Sequence, residues 1–393
     1  VLLAASVWLF TIINVAPGPI RIDFGGWEKP LGISFKVDLF ASIMVIVAAV
    51  IGFAGSLFAL GDIGRMIWKN FFLRWFGVLY GITGLLNLDE FALGLGNAGG
   101  DPVILSTAAL FLMAFGIKAG VFPLYFWLPP AYPNTGFATA AVFGGLLTKV
   151  GVYALFRVFG GAFGFLSEVT GPLFLAVGAL TMVSGVLGAA SQFHTRRILS
   201  FHIVSQIGYI VLGLGLFTQG AFAAAIFYIV HHILVKTNLF LAAGAIASTV
   251  RSERLEKMGG LLKGAPVLAF LFLIPALSLG GIPPLSGFFA KFLLLREALR
   301  EEAYFYASVA LVVGVVTLFS MIKIWGEAFW KETPRPEGIE GFRLAQIVPI
   351  AMLGAMTVTI GFAVEPLFEL SGRAADQLLQ SNPLYVESQN DQP

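Results

Sequence analysis

The chain has 393 residues, of which 58% are hydrophobic and only 12% are charged, and its net charge is +2. Soluble proteins are closer to half apolar and a quarter charged, so this composition and a mean hydropathy of +0.88 indicate a membrane protein. The composition excludes a nucleic-acid-binding protein, a disordered protein and a disulfide-bonded secreted scaffold. Thiol redox chemistry is excluded too, because the chain has no cysteine.

The apolar stretches predict how often the chain crosses a bilayer. A hydrocarbon core of about 30 Å requires about 20 mostly apolar residues per helix, because backbone groups in lipid must be hydrogen-bonded internally. No barrel-like alternation is visible, so we expect an all-α polytopic bundle over 1–366 and a polar tail over 367–393. The eleven predicted spans lie near 1–15, 38–60, 71–87, 103–130, 135–160, 168–192, 198–217, 221–250, 265–293, 304–326 and 345–366.

The charges in the loops predict an orientation. If the loops at 61–70, 193–197, 251–264 and 327–344 share one side, that side carries eleven Lys and Arg residues against six on the other. Cytoplasmic loops collect these residues, so we expect a cytoplasmic N-terminus and an external C-terminal tail.

Several lysines fall where lipid is expected. A lysine near the bilayer centre costs on the order of 3 kcal/mol, so each one requires a reason. A lysine near a helix end can extend its side chain to the headgroups, which is one of two interpretations of Lys323. Lys118 and Lys149 are flanked by apolar residues over many positions, so we expect them to face the bundle interior or a water-filled cavity. The full set is Lys118, Lys149, Lys236, Lys291 and Lys323.

Histidines accompany these lysines and suggest a proton relay, since histidine titrates near neutral pH. His232 and Lys236 are four residues apart and share one helical face. The adjacent His231 cannot point the same way, so we expect it to pack or to bond to a neighbouring carbonyl. His202 is either a relay member or a satisfied core histidine. A metal site is not expected, because no intramembrane Asp, Glu or Cys joins these histidines.

Two predicted spans contain helix-breaking residues beside a lysine. Lys118 precedes Pro123 in one, and Pro283 and Pro284 precede Lys291 in the other. Proline removes a backbone donor and leaves a carbonyl unpaired, which membrane proteins tolerate only where protein or water satisfies it. A single break could be a packing kink. Two breaks, each near a lysine, indicate the ion path of a transporter.

Five motifs of the chain resemble one family in order: KAGVFPLYFWLPPAYP at 118–133, GGLLTKVGVYALFRV at 144–158, RRILSFHIVSQIGYIVLGLGL at 196–216, HHILVKTNLFLAAG at 231–244 and GGIPPLSGFFAKF at 280–292. The family is that of the antiporter-like subunits shared by respiratory complex I, membrane-bound hydrogenases and multisubunit Mrp-type Na+/H+ antiporters. Tyr125 and the segment at 24–40 resemble the D subunit of the Mrp antiporters.

The resemblance implies a fold of fourteen helices with two inverted five-helix repeats, each containing a broken helix. It implies that Lys118 is the central lysine of the first half-channel, that Lys149 connects the halves, and that Lys236 and Lys291 continue the relay. We predict His202 and His232 as further relay members.

The resemblance also implies an assembly. We expect partner subunits of a multisubunit antiporter in a multi-pass arrangement in the prokaryotic cell (inner) membrane, with protons exchanged for Na+. No organic cofactor is expected, because no phosphate-binding loop follows a strand. We expect a transporter subunit and not an enzyme, unless the chain serves a respiratory NADH:quinone oxidoreductase.

One departure from the family bears on this interpretation. The family carries a membrane glutamate that pairs with the first lysine, on a helix expected before Phe71, whereas here only GDIGRMIWKN separates Leu60 from Phe71. We therefore expect about three family helices to be missing, two of them there and one before Val1. Two alternatives stay open: a non-conducting structural subunit, and the homologous proton-pumping subunit of a complex I or hydrogenase assembly.

Overall fold

The computed structural model describes residues 2–16, 18–24, 33–59, 102–332 and 344–380. Helices dominate these residues, and six of the described helices are long and apolar enough to cross a membrane by length and composition. Each of the ten predicted spans that fall in the described ranges corresponds to helix. The span predicted at 71–87 lies outside them.

The first part of the fold comprises α1 (Leu2–Val15), β1 (Ile20–Phe24), β2 (Ile33–Val37), α2 (Leu39–Ala59), α3 (Pro102–Ala119), α4 (Leu128–Ala131), α5 (Phe137–Val142) and α6 (Thr148–Leu155). Short irregular turns join the later helices: a 3-10 turn at Tyr132–Asn134 and π-helical turns at Phe143–Leu147 and Phe156–Ala162.

The second part comprises α7 (Ser167–Ser191), α8 (Thr195–Leu216), α9 (Gln219–Val250), α10 (Leu261–Gly264), α11 (Pro266–Gly280), α12 (Ser286–Arg300), α13 (Tyr304–Trp325), α14 (Leu344–Phe362) and α15 (Val364–Leu379). Shorter turns lie at Gly164–Leu166, Leu255–Lys257 and Gly326–Trp330.

The helical bundle predicted from the sequence is confirmed, and a short β-hairpin between α1 and α2 accompanies it. Strands β1 and β2 are antiparallel, with Ile20 opposite Val37 and Phe24 opposite Ile33. Apolar residues alternate with polar ones in IRIDF and ISFKV, which is the two-residue period of a strand. The sequence contains no alternating segments of about ten residues, which are typical of membrane barrels. A search for segments of that length does not detect a pair of strands as short as this one.

Helices α8 and α9 form the centre of the bundle. In their most apolar windows, 94% and 89% of the residues are buried, against 33% for the helix that contains α13. A helix that is apolar on all sides is buried among other helices. Most polar and charged side chains on α8 and α9 are therefore enclosed by protein, whereas Arg197 near the start of α8 and Ser248 near the end of α9 are exposed.

Small residues allow α7 to pack closely against α8. A Cβ atom added to Gly185 would lie 2.7 Å from the Ser205 Cα atom and closer still to its amide nitrogen. Membrane helices associate through such close backbone approaches. Gly185 therefore sets the separation of α7 and α8.

Three of the loops predicted to share one side of the membrane are in direct contact. The Thr195 amide donates to the Glu253 carbonyl at 3.0 Å, and the Gly260 amide donates to the Lys331 carbonyl at 2.6 Å. Arg196 also forms an ion pair with Glu253. The loops at 193–197, 251–264 and the start of 327–344 thus lie together, and the loop at 61–70 lies outside the described residues. That this side faces the cytoplasm stays a prediction.

We expect Gly185→Ala to destabilise the protein, because the new methyl group overlaps the α8 backbone and overpacking costs about 1–3 kcal/mol. Thermal unfolding in detergent should show a melting temperature lowered by several degrees. Gly52→Ala is the matched control, since no described residue lies within 4 Å of a Cβ atom built there. Equal melting temperatures for the two variants would contradict the proposed packing.

Candidate functional site

The first helix break lies where the sequence predicted it. Helix α3 ends at Ala119, Gly120 has a left-handed backbone with φ of 77°, and α4 begins only at Leu128. Glycine suits this conformation because it has no Cβ atom. Lys118 lies in the last turn of α3, and Pro123 lies in the unwound segment.

Neighbouring helices enclose this first break. A Cβ atom on Gly151 of α6 would lie 2.8 Å from the Lys118 carbonyl carbon, so the backbones of α6 and α3 nearly touch. The Phe122 amide, in the unwound segment, donates to the Thr181 hydroxyl at 2.9 Å. Protein thus satisfies this part of the unwound backbone, as non-helical backbone at membrane depth requires.

The second break separates α11 from α12. Gly281 has a φ of 92°, and Pro283 and Pro284 occupy the unwound segment. The Lys291 Nζ atom donates to the carbonyls of Leu279 at 2.9 Å and Gly280 at 3.0 Å. These are terminal carbonyls of α11, where the helix dipole favours a positive charge. Lys291 therefore reaches back across the break.

Two more of the predicted lysines are completely buried. Lys149 and Lys236 are both 0% exposed. The Lys149 Nζ atom donates to the Gly144 carbonyl at 2.7 Å, within the π-helical turn, and the Lys236 Nζ atom donates to the Leu199 carbonyl at 3.2 Å. Extension to the headgroups is excluded for both side chains.

The π-helical turn before Lys149 packs directly on α9. A Cβ atom on Gly145 would lie 3.2 Å from the Ile233 carbonyl oxygen. Lys149 and Lys236 both interact electrostatically with the His232 ring, and so does His202. The structure therefore brings together four of the predicted relay residues at the junction of α6, α8 and α9.

Many buried polar atoms around these lysines have no hydrogen-bond partner among the described residues. Both ring nitrogens of His202 and of His232 belong to this set. Nearly all buried polar groups in proteins are hydrogen-bonded, either to protein or to water. Further members on α6, α8 and α9 are Thr148 Oγ1, Ser205 Oγ, Gln206 Nε2 and both amide atoms of Asn238.

A tyrosine pair, which the sequence interpretation missed, joins this region to the second break. The rings of Tyr209 and Tyr228 stack with centroids 5.5 Å apart, and the Tyr228 hydroxyl donates to Gln206 Oε1 at 2.6 Å. The Lys291 Nζ atom lies 5.4 Å from the Tyr209 ring centroid. Tyr228 precedes His232 by four residues, a spacing that places both side chains on one face of the helix. The sequence could have identified Tyr228 from this spacing.

His231 occupies a different position from the one expected. Its Nδ1 atom lies 2.8 Å from the Ser286 hydroxyl, at the first residue of α12. The bond is therefore to a side-chain hydroxyl at the second break and not to a neighbouring carbonyl.

Lys323 lies apart from this group. Its Nζ atom donates to the carbonyls of Ala190 and Gln192, each at 2.7 Å, at the end of α7. The ammonium thus satisfies terminal carbonyls of a helix. Lys323 fixes the turn from α7 to α8 and is only partly buried.

The buried carboxylate of Asp38 is engaged elsewhere. Asp38 accepts a hydrogen bond from the Ala41 amide at 2.9 Å at the start of α2, and it forms an ion pair with Arg157. The Arg157 Nε atom donates to the Tyr153 hydroxyl at 2.9 Å. Asp38 therefore caps α2 and anchors it beside α6, and it does not replace the glutamate of the family. The stretch from Leu60 to Phe71, where that glutamate was sought, lies outside the described residues.

The fold and the enclosed lysines define a polytopic membrane protein with two broken helices. Residues 58–317 match the family described as "NADH:quinone oxidoreductase/Mrp antiporter, TM". The chain is 41% identical to the D subunit of the Na+/H+ antiporter of Alkalihalophilus pseudofirmus, over 97% of this chain and 91% of that protein. The chain therefore belongs to the NADH:quinone oxidoreductase/Mrp antiporter family, and its predicted resemblance to the D subunit is confirmed.

Solved structures agree with this assignment. A chain in the Mrp complex from Dietzia superposes with a TM-score of 0.87 at 29% identity, covering 98% of this chain and 92% of that one. A chain of respiratory complex I from Thermus thermophilus superposes with a TM-score of 0.75, covering 96% of this chain and 93% of that one. Its identity is 22%, so this second likeness shows the fold alone.

The alignment with the Alkalihalophilus protein also bears on the missing helices. The alignment has 448 positions and covers 97% of the 393 residues of this chain, which is about 381 residues. About 67 alignment positions therefore have no residue of this chain. Two spans of about 20 residues each, with their loops, fit such a difference. The difference has the size of the two internal helices that the sequence analysis expected to be missing.

We expect Lys291→Leu to lower the melting temperature in detergent, because the buried Leu279 carbonyl and the partly buried Gly280 carbonyl at the second break lose their donor. An unsatisfied buried group costs about 1–3 kcal/mol. Lys291→Arg should preserve more of the stability, since it keeps a cationic donor. Lys263→Leu, at an exposed position of the short helix α10, is the control for loss of one positive charge. A melting temperature for Lys291→Leu equal to that of the control would contradict the capping role.

Proposed function

We propose that this chain is an ion-translocating subunit of a multisubunit cation/proton antiporter, which moves protons through its buried lysines and histidines in exchange for Na+. The observation that carries the proposal is the row of enclosed amines: Lys149, Lys236 and Lys291 are at most 8% exposed and donate to backbone carbonyls. The name of the Alkalihalophilus relative, the D subunit of an Na+/H+ antiporter, supports the same function.

The physical reason lies in how these amines are bound. In the part of the chain that the structure describes, Lys149, Lys236 and Lys291 have carbonyl partners and no carboxylate partner. A carbonyl stabilises an ammonium less than a carboxylate does, and burial makes the charged form expensive. Such an amine exchanges readily between its charged and neutral forms, which is what carrying a proton requires.

The proposed route follows the arrangement of the helices. Lys118, at the first break, serves the first half-channel, and Lys149 on the neighbouring α6 receives the proton. His232 and Lys236, which interact with Lys149, carry it along α9, with His202 beside them. Lys291 at the second break completes the route. Water hydrogen-bonded to the buried polar atoms of α8 and α9 would bridge the gaps between these residues.

A second candidate is a structural subunit that assembles with its partners but carries no ions. The observation in its favour is the set of about 67 aligned positions without a residue in this chain, which is large enough to include the helix with the family's glutamate. The same fold also occurs in complex I, so a subunit of a respiratory enzyme is a third candidate. The identities of 41% to an antiporter subunit and 22% to the complex I chain favour the antiporter.

We expect Lys118→Ala, Lys149→Met and Lys236→Met each to reduce sodium-dependent proton movement about tenfold or more, because each interrupts a proton-carrying chain. The assay is proton uptake by inverted vesicles that contain the whole assembled complex, started by adding Na+. Lys263→Met is the control, since it removes an exposed lysine of equal charge.

The structural candidate predicts the opposite pattern. The lysine variants would then retain full exchange activity, whereas deletion of the chain would prevent assembly of the complex on a native gel. Undiminished exchange by all three lysine variants would therefore overturn the proposed function.

A further inference from the structure

We propose that His231 is a further proton-carrying residue, which connects the relay on α9 with Lys291 through the hydroxyls of Ser286 and Ser278. The inference rests on the proposed function and assigns a role to a residue for which the sequence alone predicted packing or a bond to a neighbouring carbonyl. It stands on the geometry at the second break.

The first link is the contact between His231 and Ser286. The His231 Nδ1 atom lies 2.8 Å from Ser286 Oγ, and both residues are at most 1% exposed. His231 belongs to the long central helix α9, whereas Ser286 is the first residue of α12. The bond thus joins the central helix to one edge of the break.

The second link is a pair of hydroxyls across the break. Ser286 Oγ lies 3.3 Å from Ser278 Oγ in α11, and Ser278 Oγ also accepts from the Gly287 amide at 3.1 Å. Ser278 is followed directly by Leu279, whose carbonyl accepts from the Lys291 Nζ atom. The two serines therefore form a chain of hydroxyls that leads from His231 towards the lysine.

Close packing holds this chain in place. A Cβ atom on Gly287 would lie 2.7 Å from the Ser278 carbonyl carbon and 2.8 Å from His231 Cε1. The Tyr228 ring stands perpendicular to the His231 ring, with centroids 5.7 Å apart. His231 is thus confined between α9, α11 and α12, next to the residues it would serve.

The second nitrogen of the His231 ring allows the residue to carry a proton, in addition to forming a structural hydrogen bond. Its Nε2 atom is buried and has no hydrogen-bond partner among the described residues. A histidine ring can accept a proton on one nitrogen and release one from the other. The titratable groups around it are Lys291 on α12, Tyr209 on α8, and Tyr228 and His232 on α9. The sequences of α11 and α14 contain no titratable side chain.

The transfer is balanced at every atom. His231 first accepts a proton at Nε2 from the relay on α9 and then releases its Nδ1 proton to Ser286 Oγ, as Ser286 releases its own hydroxyl proton to Ser278 Oγ. Ser278 in turn releases its hydroxyl proton to a bridging water, which passes a proton to the neutral Lys291 amine, and the amine becomes an ammonium. Each hydroxyl keeps one hydrogen, and one proton has moved towards Lys291.

The test uses the whole complex in inverted vesicles and compares His231→Asn with Ser286→Ala and Ser286→Thr. Asn retains a polar atom at the position of Nδ1 and preserves the bond to Ser286, but it cannot carry a proton. We expect His231→Asn and Ser286→Ala to lower sodium-dependent proton uptake roughly tenfold or more, while Ser286→Thr, which keeps the hydroxyl, restores it. His194→Asn, in the loop before α8, is the control.

The outcomes separate this inference from the proposed function. Normal uptake by His231→Asn, in a system where Lys236→Met is inactive, overturns the role of His231 alone. Normal exchange by Lys118→Ala, Lys149→Met and Lys236→Met alike overturns the proposed function and the role of His231 with it. If His231→Asn does not assemble, the serine pair decides: equal loss in Ser286→Ala and Ser286→Thr overturns the inference, and rescue by Thr supports it.

Discussion

The whole arrangement depends on one constraint: a carbonyl inside a bilayer must have a donor. This protein interrupts its helices in the membrane, and lysine amines supply donors at the interruptions. Lys149 binds the Gly144 carbonyl in a π-helical turn, and Lys291 binds the last carbonyls of α11 at the second break. The bond that makes the irregular backbone tolerable is also the bond that holds an amine at membrane depth. Stability and the proposed transport therefore draw on the same contacts.

Because α8 and α9 lie at the centre of the bundle, the buried lysine amines are surrounded by protein and not by lipid. Both helices are buried on nearly all sides, so their histidines, Gln206 and Asn238 face protein instead of lipid. A polar side chain in lipid would be expensive, whereas the same side chain inside the bundle can bind water or a neighbouring residue. The outer helices, which expose large apolar residues, isolate this polar interior from the bilayer.

The sequence predicts the helices and the breaks well, because both are local properties. Runs of apolar residues define the spans, and prolines beside Lys118 and Lys291 define the breaks. The partners of the side chains could not be predicted in this way. His231 meets Ser286 across 55 residues of sequence, and helical periodicity tells which residues share a face but not which helix that face meets. The hairpin was missed for another reason, since five alternating residues are too few for a search based on long apolar runs.

The positions of the carboxylates among the described residues explain why Lys149, Lys236 and Lys291 bind carbonyls. Asp38 and Glu253 are both held by arginines, one at the start of α2 and the other in the loop after α9. These ion pairs fix helix ends and leave Lys149, Lys236 and Lys291 with carbonyl partners. A carboxylate beside any of these amines would hold the ammonium form in place, whereas a carbonyl permits either protonation state. Under the proposed function, Lys149, Lys236 and Lys291 would therefore not need a carboxylate in order to pass protons to one another.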